Sequence, residues 1–70
     1  MERYVRINWQ LVVEEAKRRR KAQGVSQRRL AEIAGVSAPT VSRFEIGEQD
    51  IQVSSALAIL EVLGMAERRP

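Results

Sequence analysis

Apolar positions recur at intervals of three and four residues through most of the chain, the period of amphipathic helices. In the first such segment they are Trp9, Val12, Val13 and Ala16. Asn8 precedes this stripe and is a suitable N-cap, while Gly24 follows it and favours a helix end. The pattern therefore predicts a first helix from Trp9 to about Gln23.

Two shorter helices follow, separated by a three-residue turn. Ser26 is a predicted N-cap for a helix from Gln27 to about Ala34, which ends at Gly35. Ser37 is a predicted N-cap for the next helix, which closes at Gly47. Because the turn between them is too short for antiparallel pairing, these two helices must cross steeply.

A fourth helix is predicted to open at Asp50 or Gln52 and to end before Gly64. Its broad apolar face comprises Val53, Ala56, Leu57, Ile59, Leu60 and Leu63, and we expect most of it to lie in the core. The resulting organisation is an N-terminal arm (1–8), a helical domain (9–65) and a C-terminal tail (66–70). The fold class is all-α, a small bundle of four to five helices.

The composition argues against several classes of function. The 70-residue chain has no Cys and no His, so thiolate and imidazole metal ligands are missing, as is the commonest general base. We expect no enzyme activity, no catalytic residues, no metal and no cofactor. The sequence contains neither a membrane-spanning stretch nor a signal-peptide core, which favours a cytoplasmic protein without membrane contact. The formal net charge of +3 weakly favours anionic partners.

The most informative segment is QRRLAEIAGVSAPTVSRFEIGE, residues 27–48. Its apolar positions fill the wedge between two crossing helices: Leu30, Ala34, Val36, Val41 and Phe44. The small Ala31 allows close approach of the helices, and Gly35 accepts a positive φ in the turn. If Val41 and Phe44 face inward, the opposite side of the third helix is left to solvent. That side carries Pro39, Ser42, Arg43 and Ile46.

The stretch VSQRRLAEIAGVSAPTVSRFEIGE resembles the helix-turn-helix regulators of the Cro and lambda-repressor type, also called the XRE family. The matching pattern is Ser-Gln, Leu-Ala, Gly-Val-Ser, a β-branched residue plus Ser, and Glu-x-Gly, and AILEVLGM is similar to the family's Leu-Gly ending of the fourth helix. The resemblance covers about Val12 to Met65. It implies a lambda-repressor-like bundle whose third helix enters the major groove of double-stranded DNA.

The resemblance and the chemistry of the side chains together assign candidate DNA contacts. Arg43 is the first choice for base readout, because a guanidinium donates two parallel hydrogen bonds to guanine. Ala38 and Pro39 match positions where the family often has base-reading glutamines, but here they offer only apolar contact. Ser42 and Thr40 match positions that reach base edges or phosphates. We assign Ser42 to the bases and Thr40 to the phosphates.

Further residues are expected to contact phosphate or to support the interface. Gln27 matches the family's glutamine at the start of the second helix, which bonds phosphate and braces the third helix. Arg28 and Lys17 are additional phosphate candidates, and Arg18, Lys21 and Arg29 are further cations that could reach phosphates. Arg20 and Glu45 occupy positions that the family pairs, so we expect an internal ion pair rather than DNA contacts.

The five cationic side chains at 17–21 point in all directions around their helix. Part of this charge reflects the general preference for cations near a helix C-terminus. Arg19 departs from the leucine usual in the family, which predicts a thinner core beneath the first helix or cover by the arginine's methylene stem.

Three functional hypotheses follow. The first is a transcriptional regulator that acts as a homodimer on a palindromic operator, and we favour a repressor over an activator. The second is an antitoxin that binds its toxin and represses its own operon, and the third is a helical adaptor that has lost DNA binding. The dimer surface stays open between the fourth helix, with Leu63 and Met65, and the N-terminal segment around Tyr4, Val5 and Ile7.

Overall fold

The computed structural model describes residues 7–67, and this part of the chain folds into four helices. They are α1 (Trp9–Ala22), α2 (Gln27–Ala34), α3 (Ala38–Glu45) and α4 (Val53–Val62). The predicted all-α class is confirmed, and residues 7–67 contain no strand. Most of the predicted N-terminal arm (1–6) and the end of the tail (68–70) lie outside the described residues. Between residues 7 and 67 no helix has the length and apolarity needed to cross a membrane.

The starts of the first three helices are fixed by polar side chains. Asn8, Ser26 and Ser37 each accept a hydrogen bond from the backbone N–H three residues later, at 3.0 to 3.2 Å. These are the three predicted N-caps, and each satisfies a helix-start donor that has no partner inside its helix. The fourth helix begins after Gln52, which makes no capping bond with its side chain.

All four helices end in the same way. Each is followed by a glycine whose φ lies between 70° and 88°: Gly24, Gly35, Gly47 and Gly64. After α2, for example, the N–H of Val36 donates to the carbonyl of Ala31 at 3.0 Å. This is the Schellman motif, which turns the chain back so that the residue after the glycine lies beside the last turn of the helix.

The core lies where α2, α3 and α4 meet the inner face of α1. Its buried apolar residues are Val13, Ala16, Leu30, Ala31, Val41, Phe44, Ala56, Ile59 and Leu63. Phe44 is fully buried, and the ring of Trp9 packs edge-on against it with centroids 5.6 Å apart. Of the predicted wedge, Leu30, Val41 and Phe44 are buried, whereas Ala34 and Val36 are half-buried.

The prediction that α4 is mostly core is wrong for part of its face. Val53 is 73% exposed and Leu57 is 44% exposed. The physical reason is that α4 packs mainly against α2 and also touches α3, so a stripe narrower than its apolar face is covered. Ile33 of α2 is likewise exposed, at 49%.

Arg19 connects α1 to the end of α4. Its Nη1 donates to the carbonyl oxygens of Leu63 at 3.0 Å and Gly64 at 3.1 Å, and its Nε donates to Glu15 at 2.7 Å. The last carbonyl groups of a helix accept no hydrogen bond within the helix, and they carry partial negative charge. A guanidinium at this position therefore acts as a polar clamp between two helices.

Replacing Gly35 by Ala should lower the free energy of unfolding by about 1–2 kcal/mol, because a Cβ is disfavoured at a φ of 75°. Steric collision is not the cause, since an added Cβ meets nothing within 4 Å. Gly35→Asn is the matched control and should lose less, because Asn tolerates the left-handed region better. Urea denaturation of the three proteins measures the difference, and equal losses for Ala and Asn would contradict the backbone explanation.

Candidate nucleic-acid interface

The outer face of α3 is open to solvent. Ala38, Pro39, Ser42, Arg43 and Ile46 are exposed, and Thr40 is half-buried. Val41 and Phe44, on the opposite side of the helix, are fully buried. The structure therefore presents the residues predicted to contact bases on one accessible surface, called here the α3 face.

Arg43 does not extend freely from the α3 face. Its Nε donates to Oε2 of Glu48 at 2.6 Å, and its Nη2 donates to the backbone carbonyl of Asp50 at 2.9 Å. Its side chain is nevertheless 47% exposed. The guanidinium is therefore accessible but held to the loop that follows α3.

Gln27 joins the start of α2 to α3. Its Nε2 donates to Oε1 of Glu45 at 2.8 Å, and its Oε1 accepts from the hydroxyl of Ser42 at 2.9 Å. The side chain thus braces α3 through two hydrogen bonds. Because the hydroxyl proton of Ser42 is used in this network, a base or phosphate near Ser42 meets a hydroxyl oxygen that accepts.

Glu45 and Arg20 form a two-point ion pair beneath this network. Nε of Arg20 lies 2.5 Å from one carboxylate oxygen of Glu45, and Nη2 lies 3.1 Å from the other. Nη1 of Arg20 also donates to the carbonyl of Val25 at 2.8 Å. The two side chains are 11% and 3% exposed. Arg20 is therefore directed into the protein and away from the surface.

The carboxyl group of Glu45 is subject to opposing effects. Burial raises its pKa, but hydrogen bonds from Arg20 and Gln27, with the charges of Arg20 and Lys17, outweigh burial and leave the pKa below its ordinary value. The negative form is therefore the one that the fold stabilises. The charge of Lys17 helps to lower the pKa of Glu45 although Lys17 itself is exposed on α1.

The cations of α1 and α2 differ in whether they are paired. Lys17 and Arg28 are exposed and make no hydrogen bond or ion pair within residues 7–67, whereas Arg18 pairs with Glu15 at 2.8 Å. Hydrogen bonds from Arg18 and then Arg19 lower the pKa of Glu15 to about 2. The run at 17–21 therefore contains both paired and unpaired charges.

The hydroxyl of Thr40 lies 2.7 Å from that of the N-cap Ser37. Thr40 is thereby fixed at the start of α3, close to the backbone N–H groups of its first turn. Phosphate groups bind favourably at such helix starts, so the position suits the predicted phosphate contact.

Sequence reasoning missed Glu48 and the role of Trp9. The indole N–H of Trp9 donates to the carbonyl of Glu48 at 3.2 Å, which ties the loop after α3 to the start of α1. A local signal for Glu48 existed: a residue that follows a helix-ending glycine lies beside the last helical turn, here beside Arg43. Trp9 gave no such signal, because its partner is 39 residues away.

Comparison with known proteins gives one family. A family model described as "Helix-turn-helix", of the Cro/lambda-repressor type, matches residues 17–68. The match covers the end of α1 and all of α2, α3 and α4. No curated protein matches the chain.

Replacing Glu45 by Gln should destabilise the fold at pH 7 by about 3–5 kcal/mol, because the charge of Arg20 is left buried without its partner. Since the folded pKa of Glu45 is lowered, the stability that its charge contributes is present above about pH 4.3, the ordinary Glu pKa, and is lost as the pH falls through the folded pKa. The difference between wild type and Glu45→Gln should therefore shrink in acid. Urea titrations at pH 7, 5 and 3 measure it.

The double variant Arg20→Leu with Glu45→Leu is the control for this prediction. Replacing both ions by apolar groups removes the stranded charge, so the variant should be more stable than Glu45→Gln at pH 7. A stability difference between wild type and Glu45→Gln that is the same at pH 3 and pH 7 would contradict the assignment.

Proposed function

The chain belongs to the Cro/lambda-repressor type of helix-turn-helix DNA-binding regulators, and from this premise we propose that it is a sequence-specific repressor that inserts α3 into the major groove as a homodimer. The observation that carries the proposal is the α3 face, an exposed surface whose helix is held by Gln27 through hydrogen bonds to Ser42 and Glu45. The family is regulatory rather than enzymatic.

In this proposal Arg43 reads a guanine through hydrogen bonds to O6 and N7. Ala38 and Pro39 offer apolar contact to a thymine methyl, and Ser42 offers its hydroxyl oxygen to a base edge. With one arginine among these side chains, DNA shape contributes a larger share of specificity than it does where several amides read bases.

The phosphate contacts flank the α3 face. Arg28 and Lys17 provide exposed cations, Thr40 lies at the start of α3, and Gln27 lies at the start of α2. The amide nitrogen of Gln27 has a second N–H besides the one that bonds Glu45, and we assign it to a phosphate oxygen. These contacts position the domain without reading sequence.

Replacing Arg43 by Ala should cost about 1–3 kcal/mol of discrimination at one base pair in each half-site. The operator is first selected from a random duplex pool at a stated salt concentration, and affinities for it and its single-base variants follow. Arg28→Ala is the matched control: it should weaken binding to all duplexes alike and reduce the salt slope by about one. Unchanged base preference in Arg43→Ala would show that the residue does not read bases.

The proposed homodimer needs a contact surface. In the α4 candidate surface, Leu63 is 3% exposed and packs in the core of its own subunit, whereas the half-buried Met65 lines an apolar groove. We propose this groove as the dimer surface; it lies between the start of α1 and α4 and has a volume of about 590 Å³. Its rim carries the exposed Ile7, Val53 and Leu57. Tyr4 and Val5 lie outside the described residues.

A second copy of the chain suits this groove for a functional reason. One module of this size contacts too few base pairs to find a single site, so specificity calls for two modules on neighbouring half-sites. A two-fold contact places the same surface patch of both copies against each other, and exposed apolar side chains are the ones that gain from such a contact.

Leu57→Glu should shift the protein from dimer to monomer, because two carboxylates would be brought into an apolar contact. Sedimentation equilibrium measures the change. Ile33→Glu is the matched control, since Ile33 is similarly exposed but borders a different groove, and it should leave the dimer intact. A wild-type chain that is monomeric both free and on its operator would leave this groove to another protein, as the antitoxin alternative requires.

A further inference from the structure

We propose that Glu48 is a positioning residue for base readout: it fixes the guanidinium of Arg43 so that only its outer edge is presented to DNA. The inference rests on the proposed function and adds a residue to it. Glu48 lies outside α3, in the loop after Gly47, and its carboxylate accepts a hydrogen bond from Arg43 of the α3 face.

The turn after α3 brings the two side chains together. The N–H of Glu48 donates to the carbonyl of Arg43 at 3.1 Å, and the N–H of Gly47 donates to that of Phe44 at 3.0 Å, which is the Schellman geometry. The same motif ends α4, where the N–H of Met65 donates to the carbonyl of Leu60, and there both residues are apolar. At the end of α3 the equivalent pair is an ion pair, so backbone geometry rather than chance side-chain contact brings Arg43 and Glu48 together.

The edges of the Arg43 guanidinium are divided between protein and solvent. A guanidinium has five N–H groups, and here Glu48 takes the one on Nε while the carbonyl of Asp50 takes one on Nη2. Both N–H groups of Nη1 and the second of Nη2 remain. We assign these remaining N–H groups of Nη1 and Nη2 to the O6 and N7 atoms of guanine, which accept two parallel hydrogen bonds.

Glu48 is itself held in place from the core. Its carbonyl accepts from the indole N–H of Trp9, and the ring of Trp9 packs edge-on against the buried Phe44. The orientation of Arg43 is thus linked to the core of the domain through Glu48. A side chain held in its binding geometry before contact loses less conformational freedom when it binds.

The same carboxylate has a second effect of opposite sign. It offsets the charge of Arg43 and repels phosphates, so it weakens binding to every duplex regardless of sequence. Removing Glu48 should therefore strengthen non-specific binding while it reduces discrimination. A residue that acted on DNA through charge alone would change specific and non-specific binding by the same factor.

The test measures affinities for the selected operator, for the operator changed at the base pair that depends on Arg43, and for a random duplex. Glu48→Ala should reduce the ratio of the first two affinities roughly two- to fivefold, in line with the modest strength of exposed ion pairs, and should raise affinity for the random duplex. Glu48→Gln keeps an acceptor oxygen for Nε and should retain more of the ratio. In an Arg43→Ala background, Glu48→Ala should leave the ratio unchanged.

A measurement without DNA provides an independent check. Hydrogen exchange of the Arg43 Nε–H, followed by NMR, should be faster in Glu48→Ala than in wild type, because the proton loses its carboxylate acceptor. Equal exchange in the two proteins would overturn the proposal. Circular dichroism melting confirms that each variant is folded.

The outcomes separate this inference from the proposed function. If Glu48→Ala raises affinity for all three duplexes by one factor, Glu48 only repels phosphate and the positioning role is wrong, while base reading by Arg43 stands. If Arg43→Ala itself leaves the ratio unchanged, both the base-reading role and the inference fail. If the wild-type chain binds no duplex, the proposed function fails first.

Discussion

The carboxylate of Glu45 is the point on which the arrangement of three helices depends. It ends α3, and it accepts from Arg20 of α1 and from Gln27 at the start of α2. A buried carboxylate must have its acceptors satisfied, so the three elements are constrained to one relative position. Such a pair adds little net stability compared with apolar packing. What it contributes here is orientation, because it fixes the rotation of α3 and so determines which residues form the outer face.

The helices that carry this face are too short to be stable alone. At eight residues each, α2 and α3 fall below the length at which an isolated helix persists in water. Their ends are therefore determined by serine caps and by glycine turns, and their middles by burial of Leu30, Val41 and Phe44. The turn that ends α3 has a further effect, since it places a carboxylate beside the arginine of the outer face. The turn that ends α3 is therefore also the feature that brings Glu48 to Arg43.

The parts of the fold that were predictable from sequence are those whose signals are local. Ser26, Ser37 and Gly35 mark helix ends within a few residues, and the bounds of α2 follow from them directly. The partner of Arg20 lies 25 residues away, so only the resemblance to a family indicated Glu45. Periodicity identified the apolar face of α4 but not how much of it neighbouring helices cover, which is why the exposure of Val53 and Leu57 was not anticipated. The polar clamp of Arg19 depends on where α4 ends in space, and no local pattern carries that information.

The residues that carry unpaired positive charge are not the residues proposed to read bases. In the cationic run, Arg20 is buried and Arg18 and Arg19 share Glu15, so Lys17 and Lys21 carry the exposed charge of this segment that has no ion-pair partner within residues 7–67. On the α3 face the one arginine is partly neutralised by a carboxylate, and its neighbours are small or apolar. In the proposed function, attraction to the DNA backbone comes from the exposed cations of α1 and from Arg28. Because the α3 face itself has little uncompensated charge, it gains little from contact with arbitrary DNA. In the proposed readout, favourable contact requires a groove that matches both the hydrogen-bond donors of Arg43 and the apolar surfaces beside it.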